Sequence, residues 1–201
     1  REAGADHGAR AVVRARLSPV GEGLQVLVYT PDQPELFARI CGYFDAASFS
    51  ILDAKIHTTS NGRALDTFQV VATYEPEHHR DLIGMVENGL ARVLDEAGPL
   101  PAPSRGRVSR RVRSFPIKPR ISLQPDDKAQ HWLLNISASD RAGLLYSVAQ
   151  VLAHHHLSLQ LAKVTTLGER VEDTFLVSGS KLQSQRAQLQ IETDLLAALS
   201  A

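Results

Sequence analysis

The segment Ala54-Lys55-Ile56-His57-Thr58-Thr59-Ser60-Asn61-Gly62-Arg63-Ala64-Leu65-Asp66-Thr67-Phe68 returns about 108 positions later, one residue shorter, as Ala162-Lys163-Val164-Thr165-Thr166-Leu167-Gly168-Glu169-Arg170-Val171-Glu172-Asp173-Thr174-Phe175. Working outward, the match extends from Leu24–Val71 to Trp132–Gly179, laying Asp32 on Asp140, Leu36 on Leu144 and Ser50 on Ser158. The one gap falls where Asn61-Gly62 and Gly168-Glu169 read as hairpin turns, the place where a chain tolerates a change of length. Self-similarity at this period means two copies of one structural unit.

Each copy has the same periodicity. Val26 and Val28, then Leu134 and Ile136, alternate with other residues as a first core strand does. Asp32-Gln33-Pro34 follows, with Asp read as a helix cap and Pro near the first helical position. Leu36, Ile40 and Phe44 recur at helical spacing, and Leu144, Val148 and Leu152 repeat the stripe. Two strands come next, with Ala54, Ile56, Phe68 and Val70 facing inward and Ala162, Val164, Phe175 and Val177 as their counterparts. A second helix is expected over 77–96 in one copy and 184–199 in the other. The chain ends directly after the last helix, so a final strand is missing there; Val13 and Ala15, aligned with Ile121 and Leu123, supply it upstream. Each copy therefore reads as ββαββα, a permuted α+β ferredoxin-like domain with a four-stranded antiparallel sheet and two helices on one face. An alternative stays open in which 108–117 closes the first copy, exchanged between the two.

The expected organisation is a tail over 1–9, a first domain over 10–96, a linker over 97–118 and a second domain over 119–201. The linker carries Pro99, Pro101, Pro103 and Pro116 and the basic residues Arg105, Arg107, Arg110, Arg111 and Arg113. Over the 201 residues, 22 basic side chains balance 22 acidic ones, which argues against a dedicated nucleic-acid binder. The basic run, with Phe115 as its stacking group, reads as solvated linker, RNA binding being the rival. One cysteine, Cys41, excludes an internal disulfide framework and reads as a small core residue. No apolar stretch approaches a membrane span, and a cytoplasmic setting is expected. Arg1 is neither an initiator Met nor the start of an apolar signal segment, which points to a piece of a longer chain.

The residues Leu27-Val28-Tyr29-Thr30-Pro31-Asp32-Gln33-Pro34-Glu35-Leu36-Phe37 and Ser137-Ala138-Ser139-Asp140-Arg141-Ala142-Gly143-Leu144-Leu145 resemble the two ACT repeats of bacterial PII uridylyltransferase / uridylyl-removing enzymes. The segment 162–175 and the connection Phe115-Pro116-Ile117-Lys118-Pro119-Arg120-Ile121-Ser122 resemble the same family, and the likeness covers nearly the whole chain past Ala11. The resemblance implies the C-terminal sensor portion of such an enzyme. There glutamine binding to two ACT domains controls uridylylation and deuridylylation of the PII signalling protein. Catalysis then belongs to upstream nucleotidyltransferase and hydrolase domains, for which Mg is the implied cofactor. In this chain no Asp-x-Asp, His-Asp pair, P-loop or Gly-x-Ser-x-Gly elbow is found, so no catalytic site and no cofactor are expected in it. The rival function is an interaction or dimerisation module that binds no metabolite.

Two turns are the candidate ligand sites, Asp32, Gln33, Pro34, Glu35, Leu36 and Asp140, Arg141, Ala142, Gly143, Leu144. A strand-to-helix turn presents free backbone N–H groups to a carboxylate or amide oxygen, and the Asp can accept from an ammonium. The family pattern places Gly where Glu35 stands and Pro where Ala142 stands. Glycine admits a ligand close to the backbone, so Gly143 makes the second turn the preferred site and Glu35 puts the first in doubt. Lys55 and Lys163 read as solvent-facing strand residues, the alternative being an inter-domain pocket. His154-His155-His156 reads as a polar helix end, because adjacent helical residues point about 100° apart and cannot share a metal ion. His78-His79 reads the same way, and no metal site is expected.

Overall fold

The computed structural model describes residues 10–59, 61–73, 79–104, 117–128 and 130–200. Strands β1 (Val12–Leu17) and β2 (Leu24–Pro31) form a hairpin, followed by α1 (Leu36–Ala46), β3 (Phe49–Lys55), β4 (Arg63–Ala72) and α2 (His79–Glu96). The second repeat runs β5 (Arg120–Pro125), β6 (Trp132–Ser139), α3 (Leu144–His154), β7 (Ser158–Lys163), β8 (Thr166–Leu167), β9 (Arg170–Ser178), a 3-10 turn over Ser180–Gln183 and α4 (Gln185–Ser200). The sheet orders are β1-β2-β4-β3 and β5-β6-β9-β7, every pairing antiparallel. The leading strand of each repeat thus lies beside its first core strand, which is the permuted ββαββα arrangement. The alternative closing strand, over 108–117, lies outside the described residues up to position 116.

The inward-facing residues share one face of each sheet because strand side chains alternate. Val26, Val28, Ala54, Phe68 and Val70 are buried, and so are Leu134, Ile136, Ala162, Phe175 and Val177. The stripes Leu36, Ile40, Phe44 and Leu144, Val148, Leu152 cover them. Leu82, Val86, Leu90 and Leu94 on α2, and Ile191, Leu195 and Leu199 on α4, complete the two helical layers.

The repeats differ at the hairpin. Gly168 (φ 65°) lets the shorter loop close tightly, and β8 pairs with β9 as a fifth strand. The longer loop of the first repeat leaves a bridge between Thr58 and Ala64, with Thr59 N–H and Oγ both donating to the Arg63 carbonyl at 2.7 Å.

The two repeats meet through equivalent elements. Edge strand β3 lies against β7, and α1 packs against α3. Contact of like with like is the mark of a two-fold relation, here between two copies within one chain. Both edge strands carry an irregularity at the same place, between Ile51 and Asp53 and between Leu159 and Leu161. Such a bulge bends and twists an edge strand. The Phe37 ring bridges the copies, 6.5 Å from Phe68 in its own repeat and 6.3 Å from Phe175 in the other.

Candidate functional site

Both candidate turns have the same backbone. Asp32 N–H donates to the Gly62 carbonyl (2.9 Å) and Asp140 N–H to the Glu169 carbonyl (2.8 Å), tying each turn to the neighbouring hairpin. Leu36 N–H then donates to Gln33 O and Leu144 N–H to Arg141 O, each at 3.2 Å. Neither aspartate caps its helix. The helices begin three residues later, at Glu35 (φ 63°) and Gly143 (φ 73°), and neither cap makes a side-chain hydrogen bond. Glycine accepts this left-handed conformation freely, whereas a side chain there costs about 1–2 kcal/mol. Glu35 carries that strain, offset in small part by an ion pair with Arg39 at 3.3 Å.

What surrounds the two turns is different. A cavity of about 660 Å³ opens at the first turn and is lined by all five residues Asp32 to Leu36. Its other walls are Ile56, Thr58, Ala64 and Asp66 of the same repeat and, across the repeat boundary, Leu152, His156, Ser158 and Gln160. The volume falls within the range of small-molecule sites, about 300–1,000 Å³. None of Asp140–Leu144 lines it.

At the second turn the linker takes the corresponding space. The Ser104 carbonyl lies 2.6 Å from where a Cβ on Gly143 would stand, so the open glycine admits the protein's own backbone. Tyr146, in the position that Ala38 holds in the first repeat, is buried and donates its hydroxyl to the Pro101 carbonyl at 2.6 Å. Gln150 Nε2 donates to the same carbonyl at 3.0 Å, Ser104 N–H to Asp45 Oδ2 at 2.7 Å, and Arg39 to the Gly98 carbonyl. The Tyr146 ring in turn requires Gly42 on α1, where an added Cβ would stand 2.8 Å from the ring. The expectation that Gly143 leaves the second turn open is therefore corrected: residues 98–104 cover it. Arg141 reaches away, donating from Nη2 to the Ala198 carbonyl at 2.6 Å near the end of α4, where a cation meets the negative end of the helix dipole.

Asp66 and Asp173, outside the candidate turns, are buried at equivalent positions on β4 and β9. Asp66 Oδ1 accepts the His57 amide and Asp173 Oδ1 the Thr165 amide, both at 3.1 Å. Burial pushes the Asp66 carboxyl up to about 7, with Asp32 adding to the rise and the His57 amide opposing it. Burial does the same to Asp173, also to about 7, the Thr165 amide opposing and Asp140 and Glu172 adding to it. Partial burial raises Asp140 as well. The signal was present, an acidic residue at an inward strand position in both copies, but alternation alone reads that position as core.

Lys55 and Lys163 are exposed, and neither lines the cavity. Of the histidine run, His155 is buried with Nε2 2.7 Å from Asp194 Oδ2, His154 meets its ring edge-on, and His156 lines the cavity. His155 thus joins α3 to α4 and is more than a polar helix end. Cys41 is buried on α1, and burial holds its thiol well above the ordinary range. The His78 position, the side chain of His79 and the basic run 105–113 lie outside the described residues. Among the described residues no cluster of three His, Cys, Asp or Glu could hold a metal ion, and no helix is long and apolar enough to cross a membrane.

Fold and cavity define a tandem pair of ferredoxin-like α+β repeats. No protein-family model matches the chain. It is 57% identical over 194 residues to the bifunctional uridylyltransferase/uridylyl-removing enzyme of Ralstonia nicotianae, covering 94% of this chain and 22% of that enzyme. The enzyme of the same description from Cupriavidus pinatubonensis is 57% identical over 192 residues, and that from Burkholderia lata 52% identical over 190, with the same coverage. Among solved structures the chain is similar to aspartate kinase from Synechocystis, with a TM-score of 0.46 and 13% identity over 88% of this chain and 26% of that one. Over 94% of its length the chain matches a portion of enzymes of that description, and it spans 22% of the length of the curated relatives it matches.

Proposed function

We propose that this chain is the glutamine-sensing regulatory region of a cytoplasmic bifunctional enzyme that uridylylates and deuridylylates the PII signalling protein. One observation carries the reading, the cavity at Asp32–Leu36 whose walls come from both repeats. A ligand held there touches both domains at once and shifts the equilibrium between two arrangements of the pair, provided it binds one more tightly. Catalytic domains elsewhere in the enzyme, with Mg as their metal, read that shift. Since the second turn is covered by residues 98–104, the reading assigns one glutamine to each chain. Isothermal titration of the 201-residue chain with L-glutamine tests it, and the expected result is saturable heat with a stoichiometry of one. Absence of heat at millimolar ligand overturns it.

A second reading, an interaction or dimerisation module, is favoured by the exposed Leu27, Leu65, Leu133 and Leu161, which lie on the sheet faces opposite the helices. Sedimentation of the chain alone and with PII separates the two readings. A complex that forms equally with and without glutamine favours the second.

A further inference from the structure

The floor of the cavity holds a group that neither turn supplies. Asp66 lines the cavity from β4 while only 1% of its surface is exposed, and one of its oxygens is held by the His57 amide. Resting on the amino-acid reading above, we propose that Asp66, with Asp32 beside it, receives the ammonium of an α-amino acid. The site is then one for zwitterionic amines, with the ligand's side chain directed toward the second repeat.

Three features lead there. A buried carboxyl is unfavourable unless its charge is met, and a cation entering the cavity meets it. The other ionisable groups on the cavity walls are Asp32 from the turn, Glu35 at the start of α1 and His156 after α3; Glu35 is paired with Arg39, which leaves Asp32, among the described residues, as the unpaired carboxylate acting on Asp66. His57, beyond β3, contributes its backbone amide to Asp66. The polar far wall, Ser158 and Gln160, belongs to the other repeat and suits an amide-bearing side chain. The counterpart Asp173 has the same backbone partner but lies in the repeat whose turn is covered by residues 98–104.

Proton linkage supplies a readout that a purely structural carboxylate does not move. Burial raises the Asp66 carboxyl to about 7, and a bound ammonium favours its ionised form. Binding then releases protons, and affinity rises about tenfold from pH 6 to pH 8 for one such group. The experiment titrates the 201-residue chain with L-glutamine at pH 6, 7 and 8, with N-acetyl-L-glutamine as the probe lacking an ammonium, and repeats both on Asp66→Asn and Asp173→Asn. Expected are the rise in affinity with pH, no binding of the N-acetyl compound, and at least tenfold weaker, pH-independent binding by Asp66→Asn with Asp173→Asn unchanged. Binding of L-glutamine that is flat with pH, or equal binding of the N-acetyl compound, overturns the ammonium assignment and leaves the sensing reading standing. The wild-type protein alone decides this if Asp66→Asn fails to fold. Failure of L-glutamine to bind the wild type at any of these pH values overturns both.

Discussion

The turn at Asp32–Leu36 and the turn at Asp140–Leu144 share one backbone and one pattern of hydrogen bonds, yet the first borders a cavity and the second is covered. The difference does not lie in the turns. It lies in a neighbouring position, Ala38 against Tyr146, and in the segment 98–104 that lies over the second turn. Duplication supplies two copies of one turn geometry, and packing around each copy decides what space remains open beside it. The glycine that suits close approach sits where the chain itself approaches, and the strained Glu35 sits at the open site.

Replacing Tyr146 by the alanine of the first repeat tests this most severely. Loss of a buried ring that packs on Gly42 and anchors Pro101 is expected to cost roughly 3 kcal/mol or more, read by urea unfolding. A cost below about 1 kcal/mol means the ring does not fill the second half. Next in size is the response to pH. Asp66 and Asp173 both have a folded-state carboxyl raised to about 7, so the folded protein holds their protons more tightly than the unfolded chain. Their contribution to stability is greatest at acid pH and is lost as pH rises from about 4 through 7, by up to about 1.4 kcal/mol per pH unit for each group. Asp66→Asn and Asp173→Asn are each expected to flatten that part of the curve in thermal melts. Glutamine is expected to offset the loss due to Asp66 alone.

Gly143→Ala brings a Cβ against the Ser104 carbonyl at a left-handed backbone position and is expected to cost about 2 kcal/mol. The matching change, Glu35→Ala, is expected to stay within about 0.5 kcal/mol of the parent, because its strain is already present. Glu35→Gly is expected to be a gain, adding about 1 kcal/mol by relieving that strain. Equal responses at the two positions would abolish the distinction drawn between the turns.

Much of the fold could be read from the sequence because it is written twice. The stripe Leu36, Ile40, Phe44 and its copy Leu144, Val148, Leu152 are covered in both repeats, as period alone requires. The leading strands are legible because Val13 and Ala15 align with Ile121 and Leu123, ahead of each first core strand. Asp32 and Asp140 resemble caps in the sequence, whereas their amides extend the pairing with the hairpin and the helices begin at Leu36 and Leu144, with Glu35 and Gly143 in the cap positions. Of the candidate residues, Asp32 to Leu36 meet in one place, while Arg141 turns to the end of α4. Asp66 escaped notice because alternation assigns a strand residue to the core without regard to its charge.

The sequence by itself determined the duplication, the order of elements and which faces are apolar, since these depend on residues near one another in the chain. Only the tertiary structure decided which of the two equivalent turns keeps an open space. That choice rests on contacts between residues far apart, Phe37 with Phe175, Tyr146 with Pro101 and Gly143 with Ser104, and no local pattern encodes where a distant segment comes to rest.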